Sequence, residues 1–356
     1  MERRLCTQHA ALYTTEQCGI LDLRWILQED ASNEKAIVVG ICSDYSLRFF
    51  QVRAHAKEES IEMEKRVQGN IFQPAQPLSV DLLQTFHVSP SYPTNTTAAV
   101  SPSPIGLALD AYRAGSRWIS FSCSDGRVYI VKDRETVSHC WKAHELETWT
   151  VAFDPHQPAT LLATGADDCS LRLWDTRTDL TTPMAINSKC HTMGVTALTY
   201  SPYLPHQLYS GSYDELLRIW DTRQLRSPVH TFSTLSGIWR IKCRDSFLFI
   251  ASCHGGAEIW KATEGESSLK YTCLTTHKQH ASMVYGITSV AHTALPVQRT
   301  TLSNIQNCIQ RGRGREVISP PFLWEGEKDA FSSYIISTCS FYDKRLNIWT
   351  DGIARA

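Results

Sequence analysis

The sequence predicts an all-β fold of the β-propeller class, a ring of small four-stranded antiparallel sheets. Two segments of the chain repeat, and their tryptophans, Trp174 and Trp220, are 46 residues apart, close to the ~40 to 45 residues of a propeller blade. Each repeat contains short alternating runs, such as residues 195–200, that are separated by turn residues; this is the periodicity of strands. Packing such sheets face to face in a ring buries both faces of each one.

Weaker copies of the same pattern extend the repeat to six recognisable units. They span residues 19–52, 105–132, 143–177, 190–223, 236–261 and 276–350. The favoured interpretation is one domain over residues 1–356, a seven-bladed ring whose incomplete first blade keeps only an outer strand at 12–15; a six-bladed ring is the alternative. Segments 58–104 and 292–329, rich in Pro, Ser, Gln and charge, are predicted to be irregular insertions.

Composition and charge narrow the classes of partner. The 35 Lys and Arg residues nearly balance 36 Asp and Glu, for a net charge of -1, so no long-range field favours nucleic acid or an anionic membrane. The 12 cysteines are scattered without a metal-ligand spacing, and no apolar run approaches the ~18 residues of a membrane span. We therefore expect a cytoplasmic monomer with no cofactor, metal, nucleic-acid or membrane partner.

The two strong repeats also share residue types at fixed positions. Each has an early His, a tight-turn Asp and a Trp followed by Asp, as in T-G-A-D-D-C-S-L-R-L-W-D and S-G-S-Y-D-E-L-L-R-I-W-D. These segments resemble the WD-repeat family. The resemblance implies that the His, the Asp and the Trp form a buried hydrogen-bonded set with a structural role. The two sets are His144 with Asp168 and Trp174, and His191 with Asp214 and Trp220.

One turn departs from this pattern. His254 lies six residues before Trp260, where the other five units carry an Asp. Drift of a weak blade and a catalytic role explain the change about equally well. His254 is therefore kept as a candidate catalytic residue.

The alignment of the repeats also identifies the residues that begin each inner strand. They are Trp149, Thr196, Trp239 and Tyr285. Large aromatic side chains at this position either fill the channel mouth and pack on neighbouring blades, or form an aromatic pocket. Polar or aromatic residues near these positions are further candidates for the site: Glu147, Arg240, Tyr213 and Tyr342.

Several stretches indicate a more specific relationship, among them K-A-H-E-L-E-T-W from Lys142, G-I-W-R-I-K from Gly237 and T-C-S-F-Y-D from Thr338. They resemble the diphthine methylesterase family of the diphthamide pathway, also described as diphthine methyltransferases. The resemblance covers most of the chain from about Gly19 onward. It implies hydrolysis of the methyl ester of diphthine, a modified histidine of translation elongation factor 2, with release of methanol.

The implied substrate gives the candidate residues possible roles. Diphthine carries a trimethylammonium group, which aromatic faces attract, so Trp149, Trp239 and Tyr285 are expected to bind it. Glu147 or His254 would activate water, and Arg240 or Tyr285 would stabilise the oxyanion. A Ser340 or Cys339 nucleophile, a non-catalytic scaffold for a protein complex, and assistance to the later amidation step are the alternatives.

Overall fold

The computed structural model describes residues 20–28, 35–54, 78–88, 104–112, 118–157, 159–263, 270–292, 331–340 and 345–354. These residues form 23 strands and one turn of 3-10 helix, arranged as six antiparallel sheets. None of the described segments is a helix with the length and hydropathy needed to cross a bilayer. The all-β propeller predicted from the repeats is confirmed.

The first three sheets follow the chain order, and each strand pairs with the next one in sequence. The first sheet contains β1 (Ile20–Gln28), β2 (Lys35–Cys42), β3 (Ser46–Ala54) and β4 (Leu78–His87). The second contains β5 (Gly106–Ala111), β6 (Trp118–Cys123), β7 (Arg127–Lys132) and β8 (Thr136–Lys142). The third contains β9 (Thr150–Phe153), β10 (Leu161–Gly165), β11 (Leu171–Asp175) and β12 (Ala185–Asn187).

The last three sheets repeat this meander. The fourth contains β13 (Val195–Tyr200), β14 (Gln207–Ser212), β15 (Leu216–Asp221) and β16 (His230–Ser233). The fifth contains β17 (Ile238–Arg244), β18 (Phe247–Ser252), β19 (Gly256–Thr263) and β20 (Lys270–His277). The sixth has three described strands, β21 (Gly286–His292), β22 (Phe331–Ser340) and β23 (Arg345–Ala354).

The first strand of each sheet lies against the first strand of the next, from β1 through β5, β9, β13 and β17 to β21. Side chains fasten these neighbours to one another. Asp22 Oδ2 accepts a hydrogen bond from the Leu109 amide, and Asp110 Oδ2 accepts one from the Phe153 amide. Thr150 Oγ1 accepts one from the Leu198 amide. These bonds hold the inner strands side by side around a central channel.

Five apolar clusters fill the spaces between neighbouring sheets. The cluster between the first two sheets, for example, packs Ile41 and Phe49 against Leu109 and Phe121, all of them fully buried. Equivalent clusters lie in the other four interfaces. Because the second to fifth sheets contribute to a core on each of their two faces, burial of apolar surface holds the described sheets together as a single array.

A buried chain of hydrogen bonds spans the third sheet as the sequence predicts. Trp174 Nε1 donates to Thr164 Oγ1 at 2.9 Å, and this hydroxyl lies 2.7 Å from His144 Nε2. The other ring nitrogen of His144 lies 3.0 Å from Asp168 Oδ2. These hydrogen bonds therefore connect the loop before the inner strand to the second strand, the third strand and the turn between them.

The fourth sheet contains the corresponding chain. His191 Nε2 lies 3.0 Å from Ser210 Oγ, which accepts a 2.7 Å hydrogen bond from Trp220 Nε1. His191 Nδ1 lies 2.8 Å from Arg218 Nη1, and Arg218 also pairs with Asp214 at 2.9 Å. Both predicted structural sets are thus confirmed.

The protonation of these sets fits a structural role. Burial lowers the pKa of both His144 and His191, so the rings are neutral at pH 7. Burial would raise the pKa of the partner carboxyls, but other interactions outweigh it. Hydrogen bonds from His144 and Ser170 bring the pKa of Asp168 to about 2. The adjacent His191, the Thr192 amide and the Arg218 guanidinium bring the pKa of Asp214 to about 2. With both ring nitrogens engaged, neither histidine is available as a general base.

Some sequence predictions fall at the edge of, or outside, the described structure. Strand β4 lies within segment 58–104, where irregular structure was predicted, because its alternating sequence L-S-V-D-L-L-Q-T-F-H completes the first sheet. Other parts of the predicted insertions lie outside the described residues, namely 58–77, 89–103 and 293–329. The predicted strand at 12–15 lies outside them too.

We expect Thr164→Val to destabilise the fold by about 2 kcal/mol, because it leaves the buried Trp174 indole N–H and His144 Nε2 without their shared hydroxyl. Urea unfolding measures the change. Thr231→Val is the matched control, since Thr231 is an exposed strand residue. Equal stability of the two variants would contradict the stabilising role of these buried hydrogen bonds.

Candidate functional site

The candidate site lies where the inner strands begin. Trp149 and Tyr285 immediately precede β9 and β21, and Trp239 is the second residue of β17. The pairing of β17 with β18 shifts register between Ile238 and Arg240, so Trp239 occupies a β-bulge. A bulge redirects the side chain at that position.

These aromatic residues form one cluster, which we call the mouth cluster: Trp149, Tyr213, Trp239 and Tyr285. Trp239 is its centre. Its ring centroid lies 5.5 Å from that of Trp149, 5.3 Å from that of Tyr285 and 6.4 Å from that of Tyr213. The structure thus brings together four predicted site residues from four sheet or loop segments. Thr196, at the equivalent position of β13, is instead buried and bonded to the Ile238 carbonyl.

Tyr213 reaches the cluster because the residue that packs against it, Gly237, has no side chain. A Cβ on Gly237 would lie 3.2 to 3.3 Å from Tyr213 atoms, tighter than most real contacts. The hydroxyl of Tyr213 lies 3.9 Å from Met283 Sδ, and that of Tyr285 lies 3.6 Å from the same sulfur. Met283 therefore links the two tyrosines at the edge of the cluster.

A carboxylate accompanies the mouth cluster, although the sequence analysis did not identify it. Trp149 Nε1 donates a 3.2 Å hydrogen bond to Asp167 Oδ1. A Cβ on Gly194 would lie only 2.6 Å from that same oxygen, so a glycine is needed beside it. Asp167 is the residue before the turn aspartate, as Tyr213 is in the next sheet. Comparison of that position across repeats was the signal that could have revealed it.

Glu147 lies close to this carboxylate along the backbone. Its carbonyl oxygen accepts a hydrogen bond from the Asp167 amide at 3.0 Å. Its side chain is half-buried, and no hydrogen bond joins it to any described residue. Glu147 is thus located beside the mouth cluster, two residues before Trp149, and its role as a base stays a prediction.

The exceptional turn of the fifth sheet has a structural explanation. His254 is exposed on the 3-10 turn Cys253–Gly255. Four residues later, where the third and fourth sheets have Arg172 and Arg218, this sheet has the buried Glu258. The Asp and Arg pair of those two sheets is therefore replaced by His and Glu.

Glu258 takes over the function of the buried histidine in this sheet. It accepts hydrogen bonds from Ser252 Oγ, from Trp260 Nε1 at 3.1 Å and from the Leu235 amide at 2.8 Å. The loop before the inner strand, the second strand and the third strand are joined as in the other two sheets, through a carboxylate instead of an imidazole. No described contact links His254 to the mouth cluster.

The remaining predicted residues lie elsewhere. Arg240 points into the channel with a side chain only 14% exposed, and its Nη2 lies 3.7 Å from Asp22 Oδ2. It follows the bulged Trp239 directly but is not part of the mouth cluster. Tyr342 lies outside the described residues, as does the side chain of Ser340, while Cys339 is exposed.

A cavity lies away from the mouth cluster, at the other end of the inner strands. It has a volume of about 200 Å³ and is lined by residues at the ends of the inner strands, including Phe153, Tyr200 and Cys243. Since the mouth cluster contains the residues that begin these strands, the cavity lies towards the opposite mouth of the channel.

We expect Glu258→Gln to destabilise the protein by about 1 to 3 kcal/mol, because an amide cannot accept at both of its terminal atoms. His254→Ala should change stability by less than about 0.5 kcal/mol, as is usual for an exposed residue. Chemical denaturation measures both, with exposed Glu215→Gln as the control. A large loss in His254→Ala together with a neutral Glu258→Gln would refute the proposed exchange of roles.

Comparison with known proteins supports the repeat assignment. A model of the WD domain, G-beta repeat, matches residues 135–175 and 184–221. A chain in the crystal structure of the mitotic checkpoint complex superimposes with a TM-score of 0.56 at 14% identity, covering 94% of this chain and 76% of that one. A chain of the Polycomb repressive complex 2 from Chaetomium thermophilum gives 0.58 at 8% identity, covering 78% and 63%. These likenesses show the fold.

Curated sequences similar to this chain share a common name. A diphthine methyltransferase from Mus musculus is 41% identical over 54% of this chain and 43% of its own length. The diphthine methyltransferase of Homo sapiens is 34% identical over 54% and 45%, and a homolog in Dictyostelium discoideum is 29% identical over 72% and 65%. The chain therefore spans roughly two-fifths to two-thirds of the length of these relatives.

The matched repeats, the six sheets and these similarities agree with one another. The chain contains WD40 repeats within a propeller fold, and its sequence resembles the curated diphthine methyltransferases over more than half of its length.

Proposed function

We propose that this chain acts in diphthamide biosynthesis as a carboxylic ester hydrolase that removes the methyl ester of diphthine on translation elongation factor 2. Water adds to the ester carbonyl, the bond to the methoxy oxygen breaks, and the products are the free carboxylic acid and methanol. The names of the similar proteins support the pathway. The observation that carries the proposal for this chain is the mouth cluster with its adjacent carboxylate.

The mouth cluster suits the cationic part of such a substrate. A quaternary ammonium ion has no N–H to donate, so recognition depends on aromatic faces and on nearby negative charge. Trp149, Trp239 and Tyr285 lie at mutual angles of 57° and 81°, so their faces do not stack on one another. Each cation contact contributes about 0.5 to 2 kcal/mol, depending on desolvation.

Asp167 supplies the negative charge. Its carboxylate oxygen is held by the Trp149 indole N–H, which fixes the acid at the edge of an aromatic surface. A carboxylate in this place attracts a permanent cation and repels the carboxylate product. The arrangement therefore favours the positively charged ester over the zwitterionic product.

The chemical step needs a base and a donor to the oxyanion. Glu147 is the better candidate for the base, because its loop also positions Trp149 and Asp167. His254 is the second candidate, on a different blade. The hydroxyl of Tyr285 is the nearer donor to the oxyanion, since Arg240 is paired with Asp22 inside the channel.

The experiment is methanol release from elongation factor 2 bearing methylated diphthine, with the purified chain and its variants. Glu147→Gln should lower kcat by about a hundredfold or more, as is typical for loss of a general base. Trp149→Ala with Trp239→Ala should raise KM by about tenfold or more. Tyr203→Ala, an exposed aromatic outside the mouth cluster, should leave both constants unchanged.

Three outcomes would decide against parts of the proposal. No methanol from a folded wild-type chain would leave a non-catalytic scaffold as the better function. Full activity of the double tryptophan variant would remove the mouth cluster from substrate binding. Loss of activity in His254→Ala but not in Glu147→Gln would transfer the role of base to His254.

A further inference from the structure

Among the described residues, five charged side chains lie in the interior of the channel, and the proposed reaction does not use them to bind the cation. Asp22 and Arg24 are on β1, Asp110 is on β5, and Arg240 and Lys242 are on β17. Strands β1 and β17 belong to different sheets, yet Arg240 Nη2 and Asp22 Oδ2 are 3.7 Å apart. The charges therefore face one another across the channel.

Both carboxylates in this group are already engaged. Asp22 accepts the Leu109 amide hydrogen and lies 3.5 Å from Arg24 Nη1. Asp110 accepts the Phe153 amide hydrogen and lies 3.4 Å from Arg24 Nε. Two anions thus serve three cations, which leaves a formal surplus of one positive charge.

Lys242 is the cation without a described partner. Arg24 pairs with both carboxylates and Arg240 pairs with Asp22. Over the described residues, no hydrogen bond or ion pair involves Lys242 Nζ. Lys242 is partly buried, and an ammonium withdrawn from water without a counter-ion is costly, so this position favours a bound anion.

Lys242 also lines the cavity of about 200 Å³ at the ends of the inner strands. Arg24 and Asp110 share its wall, so the cavity reaches the charged group directly. The rest of the lining is mostly apolar or aromatic and includes Phe153, Tyr200, Leu198 and Pro155. A small apolar enclosure with one unbalanced cation is a binding site for a small amphipathic anion.

We propose that this cavity binds a monocarboxylate with a small apolar or aromatic body, its carboxylate on Lys242 and its body against Phe153 and Tyr200. The surplus of one positive charge matches a single negative charge. Asp110 on the same wall repels a second one, which disfavours a phosphate dianion. This site is separate from the mouth cluster, and its occupancy does not depend on the proposed esterase reaction.

The electrostatics predict how the affinity depends on pH. Burial, with the nearby Arg24 and Arg240, lowers the pKa of Lys242 to about 7, although Asp22 and Asp110 act in the opposite direction. A bound carboxylate stabilises the ammonium form and raises that pKa, so binding takes up a proton. Affinity should therefore be highest below pH 7 and should fall as the pH rises above it.

The other titratable groups that face the cavity do not reproduce this dependence. Burial raises the pKa of Tyr200 above its usual value and that of Cys243 to about 12, so both stay protonated. Tyr112 completes the titratable part of the lining. The pKa of Asp22 is held at about 2, mainly because Arg240 and Arg24 outweigh the effect of burial.

Isothermal titration of the full chain with benzoate tests the site, with benzamide as a neutral probe of the same shape. We expect benzoate to bind at least about tenfold more tightly than benzamide at pH 6, and its affinity to fall by about tenfold or more at pH 8.5. Lys242→Met should abolish the preference for benzoate. Lys189→Met should leave it unchanged, because Lys189 is an exposed lysine on the loop between β12 and β13.

Equal binding of benzoate and benzamide, or a benzoate affinity independent of pH, would overturn the proposal with the wild-type chain alone. These wild-type measurements test the proposed site even if the Lys242→Met variant fails to fold. Inorganic phosphate binding as tightly as benzoate would overturn the assignment of a monoanion. Methanol release is measured separately, so failure of this site leaves the proposed esterase untouched, and the reverse also holds.

Discussion

In the third, fourth and fifth sheets, one buried polar side chain forms hydrogen bonds that connect the loop before the inner strand to the second and third strands. The position of the candidate site depends on these bonds. In the third and fourth sheets this group is a neutral histidine, bonded to the hydroxyl that also receives the indole N–H of the blade tryptophan. An unpaired donor or acceptor in such a place costs about 1 to 3 kcal/mol, so these bonds fix the loop above them. That loop carries Glu147 and Trp149 in one sheet.

The fifth sheet shows that the constraint is the satisfied network and not the residue type. Glu258 replaces the imidazole there, and its carboxylate receives the same kinds of donor. The exchange releases His254 to the surface and keeps β17 in register with its bulge at Trp239. The centre of the mouth cluster is thus supported by a blade in which a carboxylate replaces the histidine. The third-sheet loop beside it is held by the histidine network.

Sequence reasoning predicted the features that recur with the repeat. The spacing of Trp174 and Trp220 set the blade register, and that register placed Trp149, Trp239 and Tyr285 at one mouth before any contact was known. It did not predict contacts between distant parts of the chain that follow no repeat. One such contact is the ion pair between Arg240 and Asp22 inside the channel. Another is the hydrogen bond from the Trp149 indole N–H to Asp167. Strand β4 was missed because a long connection separates it from β3.

The proposed function depends on recognition of a permanent cation by the mouth cluster. Ligand-observed NMR titration with choline and with its neutral isostere 3,3-dimethylbutan-1-ol measures this recognition, because the two probes differ essentially in charge. We expect saturable choline binding at least about tenfold tighter than binding of the isostere, and a preference that shrinks in Asp167→Asn and disappears in Trp239→Ala. Equal affinity of the two probes for the folded wild-type chain would show that the mouth cluster does not recognise the charge.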